Sequence, residues 1–90
     1  MEKNNYICEA LRLLRIANNL SIQELSNRSG LPVSYISDVE KGIETDIPDV
    51  VIKKYSQELN VKESTIVFFK DEKANQLLKK LLIKILRSIV

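Results

Sequence analysis

Ser34, Ser37, Asp38 and Lys41 are spaced three and four residues apart, so in a helix they share one face with Val33. That face offers two hydroxyls, a carboxylate and an ammonium beside one small apolar contact. Such groups donate and accept hydrogen bonds; they do not by themselves break covalent bonds. The groups that usually do are missing. The chain has no histidine, a single cysteine (Cys8) and only two glycines, Gly30 and Gly42. There is therefore no imidazole base, no thiolate cluster for zinc and no glycine-rich phosphate loop. The other carboxylates are scattered among lysines at helical spacing, as on a solvated face. No enzymatic activity, metal or cofactor is expected.

Helices must hold that face in place, and the composition favours them. Leu, Ile, Lys, Glu and Asn dominate, with two prolines and 6% aromatics. Ninety residues, 44% of them apolar, support one domain with a real core. A domain this small would gain considerably from pairing with a second copy.

From Tyr6 to Asn18 an apolar stripe runs through Ile7, Ala10, Leu11, Leu14 and Ala17, with Asn18 and Asn19 as terminators. Ser21, followed three residues later by Glu24, forms a capping box flanked by Leu20 and Leu25. The pattern predicts a helix from Ile22 to Ser29, stopped by Gly30 in a left-handed conformation. Pro32 suits the first turn of the next helix, which runs to Lys41, buries Ile36 and Val39 and ends at Gly42. An acidic loop, Ile43 to Ile47, leads to a fourth helix after Pro48. That helix turns Ile52, Tyr55 and Leu59 inward and Lys53, Lys54, Gln57 and Glu58 outward, and Asn60 closes it. A short fifth helix beyond Val61 brings Ile66 to the core, flanked by Phe68 and Phe69.

Residues 71–90 differ from everything before them. Asp71 and Glu72 come first and Lys79, Lys80, Lys84 and Arg87 later, an order that suits the helix dipole. Leu77, Leu78, Leu81, Leu82, Ile85, Leu86 and Ile89 spread over half the circumference of a wheel of about 100° per residue. That arc is wider than one modest core needs. The expected organisation is a domain over 1–70 and an amphipathic helix over 71–90 that joins two copies. The alternative is that this helix folds back on its own domain. A narrow polar arc argues against a membrane-surface helix.

The helices Ile22–Ser29 and Pro32–Lys41, joined by a tight glycine-containing turn, give the outline of a helix-turn-helix. Leu25, Leu31, Ile36 and Val39 pin the pair, and Ser26 and Gly30 are small enough for close approach. The outward face of the second helix fits a major groove about 12 Å wide. From Leu11 to Ile66 the chain resembles the Cro/cI-type (XRE) regulators. The resemblance is carried by Leu11-Arg12 with Arg15, by Ser21 with Glu24-Leu25-Ser26, by Gly30, and above all by Ser34-Tyr35-Ile36-Ser37-Asp38-Val39-Glu40-Lys41-Gly42. Ile52, Tyr55-Ser56, Leu59 and Val61 match the family's fourth helix and its exit.

The resemblance implies a five-helix, λ-repressor-like all-α domain whose third helix reads DNA. It implies base-facing roles for Val33, Ser34, Ser37 and Asp38, with Tyr35 at the edge. It implies phosphate contacts for Ser21, Gln23 and the start of the second helix, with Arg28, Lys41 and Lys53 as backbone-contacting cations. It further implies an ion pair between Arg15 and Glu40; the residues alone leave two separately solvated charges open. The chain departs from the family at three places. Pro32 stands where relatives often have a Ser or Thr cap, Ile22 replaces a polar residue, and the loop after Gly42 is longer and acidic.

Charge adds little attraction for nucleic acid. Residues 1–70 hold nine Lys/Arg against ten Asp/Glu, and residues 71–90 five against two. Weak binding by a monomer is therefore expected, and two copies on a two-fold axis would read two half-sites about one helical turn apart. A lone thiol and a polar amino-terminal segment point to the cytoplasm. The partners expected are double-stranded DNA and a second copy, as in a dimeric repressor or a restriction-modification controller. The alternative is an antitoxin-like or adaptor module that grips a different protein through the apolar tail.

Overall fold

The computed structural model describes residues 6–89, apart from the side chains at 82 and 85–89. Every regular element in this range is a helix: α1 (Tyr6–Ala17), α2 (Ile22–Ser29), α3 (Val33–Glu40), α4 (Asp49–Leu59), α5 (Glu63–Phe68) and α6 (Glu72–Ile89). None is long and apolar enough to cross a membrane.

Local chemistry sets most of the boundaries. α1 ends where Asn19 turns left-handed, with φ 59°. At the start of α2, Ser21 Oγ accepts the Glu24 amide at 3.0 Å and Glu24 Oε1 accepts the Ser21 amide at 2.8 Å. Two of the four orphan donors at that end are thus satisfied within the chain. Asn60, with φ 56°, closes α4 as Gly30 closes α2. Asp71 Oδ2 accepts the Ala74 amide at 3.2 Å and caps α6.

At α3 the structure differs from the sequence pattern by one residue at each end. Pro32 has extended backbone, ψ 144°, and is the residue before the helix, and Lys41 is the residue after it. Lacking a side-chain oxygen, Pro32 gives α3 no cap hydrogen bond.

Leu11, Leu25, Ile36, Val39, Tyr55, Leu59 and Ile66 are enclosed where α1 to α5 converge. Burying each aliphatic side chain contributes roughly 1.5–3 kcal/mol. Gly30 makes the left-handed stop expected of it, but not the close approach. A Cβ at this position would meet nothing within 4 Å, whereas the backbone sits at φ +81°. Glycine is required by the left-handed turn, and space is not the constraint.

α6 lies along α1. Ala74, Asn75 and Leu78 are buried, and Asn75 Nδ2 donates to the Tyr6 carbonyl. Lys79 Nζ sits 2.8 Å from Glu9 Oε1 at a solvated site. Leu78, expected on a face shared between copies, is instead covered within its own chain. The flank beside it remains open: Leu77 is 60% and Leu81 59% exposed, and Ile83 is exposed too. Of the remaining residues assigned to pairing, Leu82, Ile85, Leu86 and Ile89 have side chains outside the described set.

Candidate nucleic-acid interface

The corner between α2 and α3 is held by three hydrogen bonds. Ser26 Oγ donates to the Leu31 carbonyl at 2.6 Å, and Ser29 Oγ accepts the Leu31 amide at 3.1 Å. Lys54 Nζ, read from the sequence as pointing outward, reaches back from α4 to the Ser29 carbonyl at 3.0 Å. An ammonium at the carboxyl end of α2 also suits that helix's dipole. These bonds, with Leu25, Leu31, Ile36 and Val39 buried beneath, make the two helices one rigid unit.

Val33, Ser34 and Asp38 lie exposed along α3, Lys41 is exposed just beyond its end, and Ser37 is half-buried. The groups able to meet base edges therefore share one outward strip, with Ile36 and Val39 fully buried behind it. Tyr35 stands apart. Its ring is half-buried and packs against the core, and burial, followed by the neighbouring charges of Glu44 and Asp46, raises the pKa of its phenol.

Beyond Gly42 the acidic loop folds back on α3. The Asp38 carbonyl accepts the amides of Ile43 and Glu44 at 2.9 and 3.1 Å. The Cys8 thiol donates to the Glu44 carbonyl at 3.4 Å from the other side. Burial pushes the Cys8 pKa up and so favours the protonated thiol. The strip of α3 is thereby bordered by the carboxylate-bearing segment Glu44 to Asp46.

The far end of α3 is clamped by charge. Arg15 Nε donates to Glu40 Oε1 and Oε2 at 3.1 and 2.9 Å, and Nη2 donates to Oε1 at 2.9 Å. Nη1 of the same guanidinium donates to the Leu20 carbonyl, so α1, the α1–α2 turn and α3 are tied at one point. Tyr55 adds its hydroxyl to Glu40 Oε2 at 3.2 Å. That hydroxyl bond was not readable from spacing, because a tyrosine at an inward helical position signals packing only.

On α2, Ser21 already accepts an amide through its hydroxyl oxygen, but its proton remains available to a phosphate. The carboxyl of Glu24 is held below its ordinary pKa, chiefly by the Ser21 amide, so a negative charge occupies the amino end of α2. Gln23 Nε2 donates to Asn27 Oδ1 at 3.0 Å. Arg28, Lys41 and Lys53 are exposed. The structure thus joins Arg15 to Glu40 and aligns Val33, Ser34, Ser37 and Asp38. The residues assigned to phosphate are spread over α2, the end of α3 and α4.

Residues 11–66, well over half of the chain, match the family model described as helix-turn-helix. The chain belongs to this family, that of the Cro/cI-type regulators. It is a DNA-binding helix-turn-helix regulator, and domains of this family are not catalysts. The match begins in α1 and ends at Ile66 in α5, so the helix-turn-helix domain includes every element that clamps α3. No curated protein matches the chain.

Proposed function

We propose that this helix-turn-helix protein is a cytoplasmic homodimer that represses transcription by occupying a pseudo-palindromic operator. In this reading α1 to α5 form a λ-repressor-like reading unit within residues 1–70, and the helix of residues 71–90 joins two copies. The observation that carries the proposal is the strip of Val33, Ser34, Ser37 and Asp38, turned outward from a helix whose opposite face and far end are immobilised. Side chains that must match donors and acceptors within a few tenths of an ångström need such a support.

Each residue has a role that its chemistry permits. Val33 can meet a thymine methyl, Ser34 and Ser37 can bond bases or phosphates, and Asp38 can accept from cytosine N4. Tyr35, packed inward, supports the strip from its edge. Ser21, Gln23, Arg28, Lys41 and Lys53 meet the backbone on either side.

One such helix reads only a few base pairs, too little to single out a genomic site. The Leu77–Leu81 flank of α6 is the proposed seam, because Leu78 is used within the subunit. Selection from random duplexes, followed by binding at two salt concentrations, tests the reading. A preferred sequence and affinity that falls as salt rises support it. Equal, weak and salt-independent binding to every duplex removes it.

A second reading draws on the acidic loop held against α3. That loop weakens attraction to phosphate and suits an adaptor or antitoxin-like subunit with a protein partner. Co-purification with a stoichiometric second polypeptide, together with no shift of any duplex, selects it.

A further inference from the structure

Tyr55 is fully buried in the centre of the core, where a phenylalanine ring would pack as well. Its hydroxyl must therefore be accounted for separately. It donates to Glu40 Oε2, the oxygen that also accepts from Arg15 Nε. Glu40 is the last residue of α3, so one carboxylate is held by α1 through Arg15 and by α4 through Tyr55. Ile36 and Val39, packed in the core, fix which face of α3 is buried, but a single tether at its end leaves small rolls of the helix open. A second donor from another helix removes that freedom.

We infer that Tyr55 is a positioning residue for sequence reading, which rests on the DNA function proposed above: its hydroxyl sets the roll of α3. Side-chain tips lie about 5–6 Å from a helix axis, so a roll of only about 10° displaces them by about 1 Å. That displacement exceeds the range over which a base-edge hydrogen bond keeps its geometry. Charge-assisted bonds such as those to Glu40 are the kind stiff enough to prevent it. The residues affected are Val33, Ser34, Ser37 and Asp38, none of which Tyr55 is required to touch.

The test uses the full chain, its Tyr55→Phe variant and Ile66→Val. The last is a core change in α5 that removes one methylene and none of the hydrogen-bonding groups of the clamp. A duplex selected by the unchanged protein and a scrambled duplex are compared at two salt concentrations. In Tyr55→Phe the ratio of selected to scrambled affinity is expected to fall about tenfold, within the range of one mismatched base pair. Scrambled-duplex affinity and the salt slope should stay as they were, and Ile66→Val should keep the full ratio. The assignment is overturned if Tyr55→Phe retains the ratio, if Ile66→Val loses as much of it, or if Tyr55→Phe no longer folds. If the unchanged protein prefers no duplex, DNA reading itself fails and the positioning role falls with it. That result is distinct from a normal preference shared by all three proteins.

Discussion

Arg15 and Glu40, 25 residues apart in sequence, lie edge to edge with only 11% and 3% of their side chains exposed. Both carboxylate oxygens are engaged by the one guanidinium. A pair this deep contributes more to orientation than to net stability, because desolvating both charges offsets much of their attraction. Breaking it is another matter. Arg15→Ala or Glu40→Ala leaves one charge stranded and should lower unfolding free energy by about 3–5 kcal/mol. The double change Arg15→Met with Glu40→Met should lose far less. Urea unfolding of the three variants measures this, and equal losses in all three would contradict it.

Alkaline pH should destabilise the domain. The pKa values of Tyr55 and Cys8 are raised, by burial first and then, for Tyr55, by the charge of Glu40; that of Tyr35 is raised by burial and by Glu44 and Asp46. In the unfolded chain these groups lose protons near their ordinary values, about 8.5 for a thiol and about 10 for a phenol. The folded chain holds its protons longer, so it binds more of them across that window. Stability is therefore fully present below about pH 8 and declines as pH rises through the interval between unfolded and folded values. Denaturation midpoints at a series of pH values should show the decline, and Tyr55→Phe should make it shallower.

Gly30 distinguishes backbone conformation from crowding. Gly30→Ala should cost about 1 kcal/mol, the usual penalty for a Cβ in the left-handed region. Gly30→Asn should cost less, although asparagine is larger, because it tolerates that conformation. Thermal melts that rank asparagine as the worse substitution would mean that space, not φ, governs the site.

What could be read from the sequence, and what could not, divides by distance along the chain. The capping box of Ser21 and Glu24 and the stops at Gly30 and Asn60 are bonds or dihedrals within a few residues, so residue type and spacing reveal them. The apolar faces of α1 to α5 were readable in the main, because helical periodicity determines which side is covered, although Ala17 and Phe68 are exposed and Val51, not assigned inward by the pattern, is buried. The hydroxyl bond from Tyr55, the reach of Lys54 to Ser29 and the burial of Asn75 depend on helices meeting from distant segments. Spacing carries no trace of such meetings. Leu78 and Leu81 differ by three residues and look alike on a wheel. Only the angle of α6 on α1 decides that one is covered and the other is not.

The seam on α6 can be tested without disturbing the subunit. Leu77→Glu with Leu81→Glu alters two side chains that the single chain leaves in water. Sedimentation is expected to report a dimer for the unchanged protein and a monomer for the double variant, with helical content retained. Affinity for a two-half-site duplex should fall by at least about a hundredfold, since linked sites gain roughly 10²–10⁴ from joint engagement. A double variant that sediments as a dimer would place the seam elsewhere.

Changes on the surface proposed to face DNA should separate into two kinds. Asp38→Ala or Ser37→Ala should relax preference at one base pair, by about 1–3 kcal/mol for a contact that reads an edge. Lys53→Ala or Lys41→Ala should weaken binding to all duplexes alike and reduce the salt slope by about 1. Sequence-resolved binding curves for the four variants provide the check.

The bond from Asn75 to the Tyr6 carbonyl spans 69 residues and fastens α6 to α1. Contacts so far apart in sequence carry a large loop-closure entropy and form after the local ones. The α6 helix therefore needs a finished α1 surface to settle on. A nascent or damaged chain lacks that surface, so its leucine flank has no fixed direction. If α6 pairs two copies as proposed, assembly doubles as inspection, with register available only once the reading unit has been built.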